Sequence, residues 1–205
     1  FDKVFLAQKA DVARMQGDGV QDVSWLPLAC SPYLDPCYEE LVKDRGRKID
    51  LTRQWDCCFV GFLNQGIAGH LGSHNRIEFL DRMFREFPNS WLAFGRFFDE
   101  AAEVYVKSRV GLNVSIGQDL NMRFFEGLSY GVCQVCNRDM DGWKDLGFED
   151  EKHFLGWDTV DEAIEKVGWA LKHPQERDRI GEEGMKFVRA GHTYEHRVGE
   201  MLKRL

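Results

Sequence analysis

The 205-residue sequence predicts an α/β protein: a doubly wound parallel sheet of Rossmann-like type with a helical C-terminus. Three observations carry that prediction. Short apolar runs alternate with amphipathic stretches of helical length, the pattern of a parallel sheet with crossover helices. One unit, residues 110–136, reads as strand, polar loop, helix and strand in succession. Hydrophobic residues make up 43% and aromatics 13% of the chain, ample for a packed core. Crossover connections of this kind are nearly always right-handed.

The elements follow in order. Residues 4–7 read as a short strand, 10–16 as a helix, and 23–26 as a strand closed by Pro27. Ser31-Pro32-Tyr33-Leu34-Asp35-Pro36 carries two prolines and reads as a link between domains. A polar, charged region spans residues 39–53. Strand 57–61, helix 76–87, strand 91–94 and helix 99–107 come next, before the central unit. Beyond Cys136, residues 152–155 read as a short strand. Val160, Ala163, Ile164, Val167 and Leu171 mark one face of an amphipathic helix. Pro174 suits the first turn of another helix, which Gly191 ends. A last helix is predicted over 194–205.

The central unit is the most informative for function. Val110-Gly111-Leu112-Asn113-Val114-Ser115 reads as a buried strand ending in polar residues, and Val132-Cys133-Gln134-Val135-Cys136 as a second strand. Between them, Phe124, Phe125 and Leu128 form an apolar stripe, while Arg123, Glu126 and Tyr130 fall on another side. In an open α/β sheet such a unit places the helix N-terminus at the carboxyl ends of the strands, where ligands bind. Backbone N–H groups there attract an anion, Arg123 adds a charged fork, and Glu126 can accept from a sugar hydroxyl. The competing reading is an ordinary surface ion pair between residues three apart, worth under about 1 kcal/mol.

A second candidate region is the loop over residues 61–75. Gly61, Gly66, Gly69 and Gly72 follow a strand and precede a helix, so backbone can approach a phosphate there. It matches neither G-x-G-x-x-G nor a P-loop, and a plain surface connection stays open. Gly61 and Asn64 from this loop, and Arg76 at the start of the next helix, join the candidate set.

Asn121-Met122-Arg123-Phe124-Phe125-Glu126-Gly127 with Ser129-Tyr130-Gly131 resembles the donor-site segment of group 1 glycosyltransferases, in particular the CgeB-like branch. His192-Thr193-Tyr194-Glu195-His196-Arg197, after a helix opening at Pro174 to Arg177, resembles the end of those proteins. Asp22-Val23-Ser24-Trp25-Leu26-Pro27-Leu28-Ala29 resembles the exit from their first Rossmann domain, and Asp56-Cys57-Cys58-Phe59-Val60-Gly61-Phe62 the first strand of the second. The resemblance implies a GT-B glycosyltransferase: residues 1–36 a remnant of the N-terminal domain with the link, 37–191 the nucleotide-sugar-binding domain, and 192–205 a C-terminal helix. It implies Arg76 and Arg123 as catalytic groups. Gly61, Asn64, Gln118, Asn121, Arg123 and Glu126 would bind the donor, a UDP- or GDP-sugar. Transfer would be retaining, metal-independent and without a further cofactor, to an unknown glycan, protein or small-molecule acceptor. One departure is plain. The wider superfamily often carries two glutamates separated by seven residues, and the partner position counted back from Glu126 holds Gln118, with Asp119 beside it. The donor-sugar contact is left open among Gln118, Asp119 and Asn121. Alternatives are a sugar-nucleotide epimerase or polyol-phosphate transferase on the same fold, or a noncatalytic nucleotide-binding module.

Composition narrows the field. Net charge is −7, with Lys and Arg scattered, so the concentrated basic face of a nucleic-acid binder is missing. No apolar run approaches the ~20 residues of a membrane span. The chain opens Phe1-Asp2-Lys3-Val4, close to a strand, and is read as part of a longer cytoplasmic protein. Cys57-Cys58 and Cys133-x-x-Cys136 lie within strand-like runs and read as buried thiols rather than zinc ligands. His192-x-x-Glu195-His196 matches a metalloprotease pattern, but the structural reading is a helix start capped by His192 or Thr193. Asp139-x-Asp141 has the spacing of a metal-binding pair and reads as a loop.

Overall fold

The computed structural model describes residues 3–31, 52–62, 76–97 and 99–205. The proline-rich link beyond Ser31, the charged region up to residue 51, and most of the glycine-rich loop, Asn64 included, lie outside the described residues.

Two parallel sheets organise the chain. The smaller pairs β1 (Val4–Leu6) with β2 (Val23–Trp25), connected by α1 (Lys9–Gly17). The larger has five strands: β3 (Trp55–Val60), β4 (Trp91–Ala93), β5 (Ser108–Asn113), β6 (Cys133–Asn137) and β7 (Leu155–Trp157). Its order is β4-β3-β5-β6-β7, all parallel, the doubly wound arrangement expected of the sequence.

The chain runs outward from β3 to β4 and then crosses back to place β5 on the other side. Helices on the two sides of that reversal cover opposite faces. On one face α2 (Arg76–Glu86) and α5 (Val160–Lys172) bury Phe79, Met83, Ala163 and Val167 against Leu112, Val135 and Trp157. On the other, α3 (Asp99–Val106) covers Cys58 and Val60, while α4 (Met122–Ser129) sinks Phe124, Phe125 and Leu128 into a second cluster. Cover on both faces explains why β3, β5 and β6 are mostly buried. Cys57, Cys58, Cys133 and Cys136 are buried free thiols in β3 and β6. Burial pushes the Cys57 thiol up to about 11 and Cys58 and Cys133 to about 12, so they behave as small apolar side chains.

Two long helices close the molecule. α6 (Pro174–Gly191) starts with its proline in the first turn, where no N–H is needed. α7 (Tyr194–Lys203) is capped by Thr193, whose Oγ1 accepts from His196 N at 3.3 Å in a reciprocal capping box. The His192-to-His196 pattern is therefore used structurally: His192 Nδ1 lies 2.9 Å from Arg197 Nη2, and its ring sits among Phe125, Phe148 and Phe187. This junction also holds the N-terminal unit. Cys30 N donates to His192 O at 3.1 Å, Tyr194 N to Cys30 O at 2.9 Å, and Arg197 Nε to Pro27 O at 3.0 Å.

One expected element moved. The strand read at residues 152–155 forms at Leu155–Trp157, because Asp150 captures the preceding stretch in a turn. Its carboxylate accepts from Glu151 N at 2.8 Å, Gly156 N at 2.6 Å and Arg138 Nε at 2.8 Å. Among the described residues, no helix is long and apolar enough to cross a membrane.

Candidate functional site

The strand order reverses between β3 and β5, and the carboxyl ends of the strands at such a point are the usual ligand position in these sheets. Arg76, the first residue of α2, spans that point. Its Nη1 donates to Phe62 O at 2.8 Å and its Nη2 to Val114 O, so one guanidinium ties the ends of both strands. The same group lies 5.4 Å over the Phe59 ring. Its Nε is buried with no hydrogen-bond partner among the described residues, and burial lowers its pKa. Gly61 continues β3 toward this point, with its amide donating to Ala93 O at 3.2 Å.

The second wall is the start of α4. Asn121 is its N-cap: Oδ1 accepts from Phe124 N at 3.0 Å, while Nδ2 donates to Asn113 Oδ1 at 3.1 Å. Asn137, at the end of β6, receives Ser115 N at 2.8 Å and donates to Ser115 Oγ at 2.6 Å and to Asp139. These amides stitch the ends of β5 and β6 to the α4 entrance and hold the loop between them. Gln118 stands exposed on that loop with a left-handed backbone, φ 62°, and its carbonyl accepts from Asp141 N at 2.8 Å. Asp119 beside it is half-buried, and burial, with Asp11 nearby, raises its pKa.

Arg123 and Glu126 do pair, Nη1 to Oε2 at 2.5 Å, but not at the surface. Their side chains retain only 15% and 10% of their exposure, so this is a largely desolvated pair within the wall. Arg123 Nη2 also donates to Arg96 O at 3.1 Å, and its guanidinium lies 5.8 Å over the Phe97 ring. Gly127 lets α4 settle on β6: an added Cβ would stand 2.5 Å from Gln134 Nε2, which donates to Phe124 O at 2.7 Å.

Three aromatic side chains at the ends of β3 and β4 stay open to solvent: Phe62 at 51%, Phe94 at 43% and Phe97 at 47%. Phe62 and Phe97 face each other at 6.1 Å between ring centroids. A run of contacts therefore leads from Arg76 through Phe62 and Phe97 to Arg123 and Glu126. Cation, aromatic surface and carboxylate share one edge of the sheet, a set that can hold a phosphate, stack a ring and receive hydroxyl donors.

The structure brings together Gly61, Arg76, Arg123 and Glu126 at this edge, with Asn121 at the helix entrance and Gln118 farther along the loop. Sequence reasoning missed Phe62, Phe94 and Phe97, and also Asn113 and Asn137. The signal for the first three was present: bulky aromatics placed just past strand ends, outside any helical stripe. Asp139 and Asp141 line a surface depression of about 430 Å³ with Gln118 and Trp143. Asp139 accepts from Asn137, and Asp141 faces Lys9 at 3.7 Å. Among the described residues, no group of three or more His, Cys, Asp or Glu side chains is arranged to hold a metal.

The family described as glycosyl transferase-like matches residues 76–203, a span that includes both arginines, Gln118, Asn121 and Glu126. The chain belongs to this family. No curated protein sequence matches it. Solved glycosyltransferase structures share its fold. HepE from Anabaena, in complex with UDP and glucose, superposes with a TM-score of 0.69 at 11% identity, over 100% of this chain and 63% of that one. Sucrose-phosphate synthase from Thermosynechococcus elongatus gives 0.67 at 14% identity, over 98% and 57%. The α,α-trehalose 6-phosphate synthase of Burkholderia multivorans gives 0.65 at 14%, over 98% and 59%. This glycosyl transferase-like chain thus has a GT-B glycosyltransferase fold and spans about three fifths of the length of these neighbours.

Proposed function

We propose that the chain is the donor side of a glycosyltransferase, binding a nucleotide sugar at the carboxyl edge of the larger sheet. The observation that carries this reading is the Arg123–Glu126 pair at a capped helix entrance, flanked by exposed aromatic rings and reached by Arg76. Glu126 accepts from the ribose hydroxyls. Phe62, Phe94 and Phe97 offer the base a stacking surface, a contact worth about 1–3 kcal/mol per base. HepE from Anabaena has been solved with UDP and glucose and with UDP-glucose, which favours a uridine nucleotide here.

As the bond from the anomeric carbon to the diphosphate breaks, negative charge builds on the leaving phosphate. Arg76 and Arg123 are the cations that meet it, with the α4 entrance adding its backbone dipole. For the sugar itself, Asn121 has already spent its side chain on the cap and on Asn113, which leaves Gln118 as our preferred contact. Retention of configuration and a cytoplasmic setting, which suits free buried thiols, belong to the same proposal. The acceptor side, assembled in the whole enzyme, is left unassigned.

Calorimetry with UDP, GDP and ADP tests the reading. At least one should bind, and Glu126→Ala should weaken it by about 1–3 kcal/mol, the worth of a charged hydrogen bond. Unchanged affinity in a folded variant would remove Glu126 from the site. The whole enzyme should also keep its transfer activity in EDTA. Loss restored by Mg²⁺ or Mn²⁺ would move the leaving-group role to Asp139 and Asp141.

A further inference from the structure

Among the described residues, Gln118 is one of two other than glycine with a left-handed backbone, φ 62°, and Gly117 before it has φ 64°. Glutamine gains nothing locally from that conformation, so neighbouring structure must hold it there. Within the turn, Asp119 N donates to Ile116 O at 3.3 Å. From outside, Asp141 N donates to Gln118 O at 2.8 Å. Asp141 belongs to the loop between β6 and β7, and it lines the same surface depression as Gln118. The placement of Gln118 therefore follows the placement of that loop.

The N-terminal unit meets the loop at this step. Gly142, next to Asp141, has φ 95°, and a Cβ there would stand 2.6 Å from both Cζ2 and Cη2 of Trp25. The outer edge of the indole thus lies on the loop backbone, in a space that only glycine leaves open. Trp25 ends β2, and its Nε1 donates to Ala7 O at 3.0 Å, which ties the ring to the end of β1. Lys9 adds charge: its Nζ stands 2.8 Å from Asp145 and 3.7 Å from Asp141, and 5.7 Å over the Trp25 ring. These ion pairs are open to solvent and contribute little, so the firm part of the contact is the ring on the glycine.

We propose that Trp25 is a positioning residue for the donor sugar: its ring backs the Asp141–Gly142 step, and that step holds Gln118 in the conformation that meets the sugar. This rests on the reading of Gln118 as the sugar contact. The groups assigned to base, ribose and diphosphate lie on α2, α4 and the ends of β3 and β4, so the contact bears on the sugar rather than on the nucleotide. Trp25 also packs against the cluster beneath α4, which makes a plain packing role the competing account.

Two variants test the contact from opposite sides, so that one decides where the other loses its fold. Trp25→Phe removes the ring edge that meets Gly142, and Gly142→Ala crowds it. Each, alone and with Gln118→Ala, is titrated with UDP, UDP-glucose, GDP and GDP-mannose, while hydrogen exchange at the Asp141 amide is followed. Exchange should quicken in both variants, because the bond to Gln118 O opens more often. Affinity for the sugar nucleotide should fall at least about threefold relative to its diphosphate, within the range of one hydrogen bond. The diphosphate's own affinity should hold, and in the Gln118→Ala background the difference should vanish. Unchanged exchange, or equal losses for diphosphate and sugar nucleotide, would overturn the proposal. So would quickened exchange with sugar binding intact. If Gln118→Ala alone left the sugar's share of affinity unchanged, Gln118 would not be the sugar contact and the proposal would fall while the nucleotide site stood. If the unsubstituted chain bound none of the four, the donor-site reading would fall, and this one with it.

Discussion

Gly127 shows how a single missing carbon places a site. With only hydrogen on its Cα, α4 comes close enough to β6 for Gln134 to hold the backbone carbonyl of Phe124, which sets the height of Arg123 and Glu126 above the sheet. Gly127→Ala would drive a Cβ to 2.5 Å from the buried Gln134 amide. Overpacking of that kind costs about 1–3 kcal/mol, and urea unfolding should show a loss in this range together with weaker nucleotide binding. A variant as stable as the parent would mean that α4 is not held in this way. The Arg123 and Glu126 positions were legible from their three-residue spacing and the family resemblance. Their burial was not, because Arg96 and Phe97, which Arg123 packs against, come from the end of another strand. The capping role of Asn121 could not be told from a sugar contact by its local sequence, because the side-chain oxygen that suits a sugar hydroxyl suits an N-cap equally well.

Among elements, the junction of α6 and α7 carries the clearest solution signature. His192 is buried there against three phenylalanine rings and beside Arg197, and burial first, then Arg197 and His196, lowers its pKa from 6.5 to about 4. The neutral ring is the form that folds. Between about pH 6.5 and pH 4 the unfolded chain binds a proton that the folded one does not, so His192's contribution to stability is full above that window and is lost as pH falls through it. The loss should approach ~3 kcal/mol, with His153, also lowered by burial, adding in the same sense. Chemical denaturation across this range should show a shallower acid decline in His192→Asn than in the parent. Equal slopes would contradict the assignment. Most elements were legible from periodicity and punctuation: Pro174 and Gly191 bound α6 as the sequence suggests, and Thr193 supplies the α7 cap. β7 was not, because the reach of Asp150 across its turn leaves no periodic trace.

On the scale of the whole molecule, the order β4-β3-β5-β6-β7 gathers residues far apart in sequence at one edge. Alternation of strand and helix was enough to predict a parallel, doubly wound sheet, and the reversal beside β3 then marks its usual ligand position. What alternation does not encode is the furniture of that edge: which rings stay exposed, and which arginine bridges two strand ends. Those depend on contacts such as Arg76 with Val114, between residues 38 apart. The scattered charge of a chain with net −7 makes the local cations count for more. The central claim is that nucleotide sugars bind at this edge and nowhere else on the chain. Amide-resolved NMR during a titration with UDP, and with GDP in parallel, addresses it most directly. Saturable shifts should centre on Gly61, Phe62, Arg76, Phe97 and residues 121–127. Saturable binding whose shifts fall elsewhere, for instance along α5 and α6, with residues 121–127 unmoved, would contradict it.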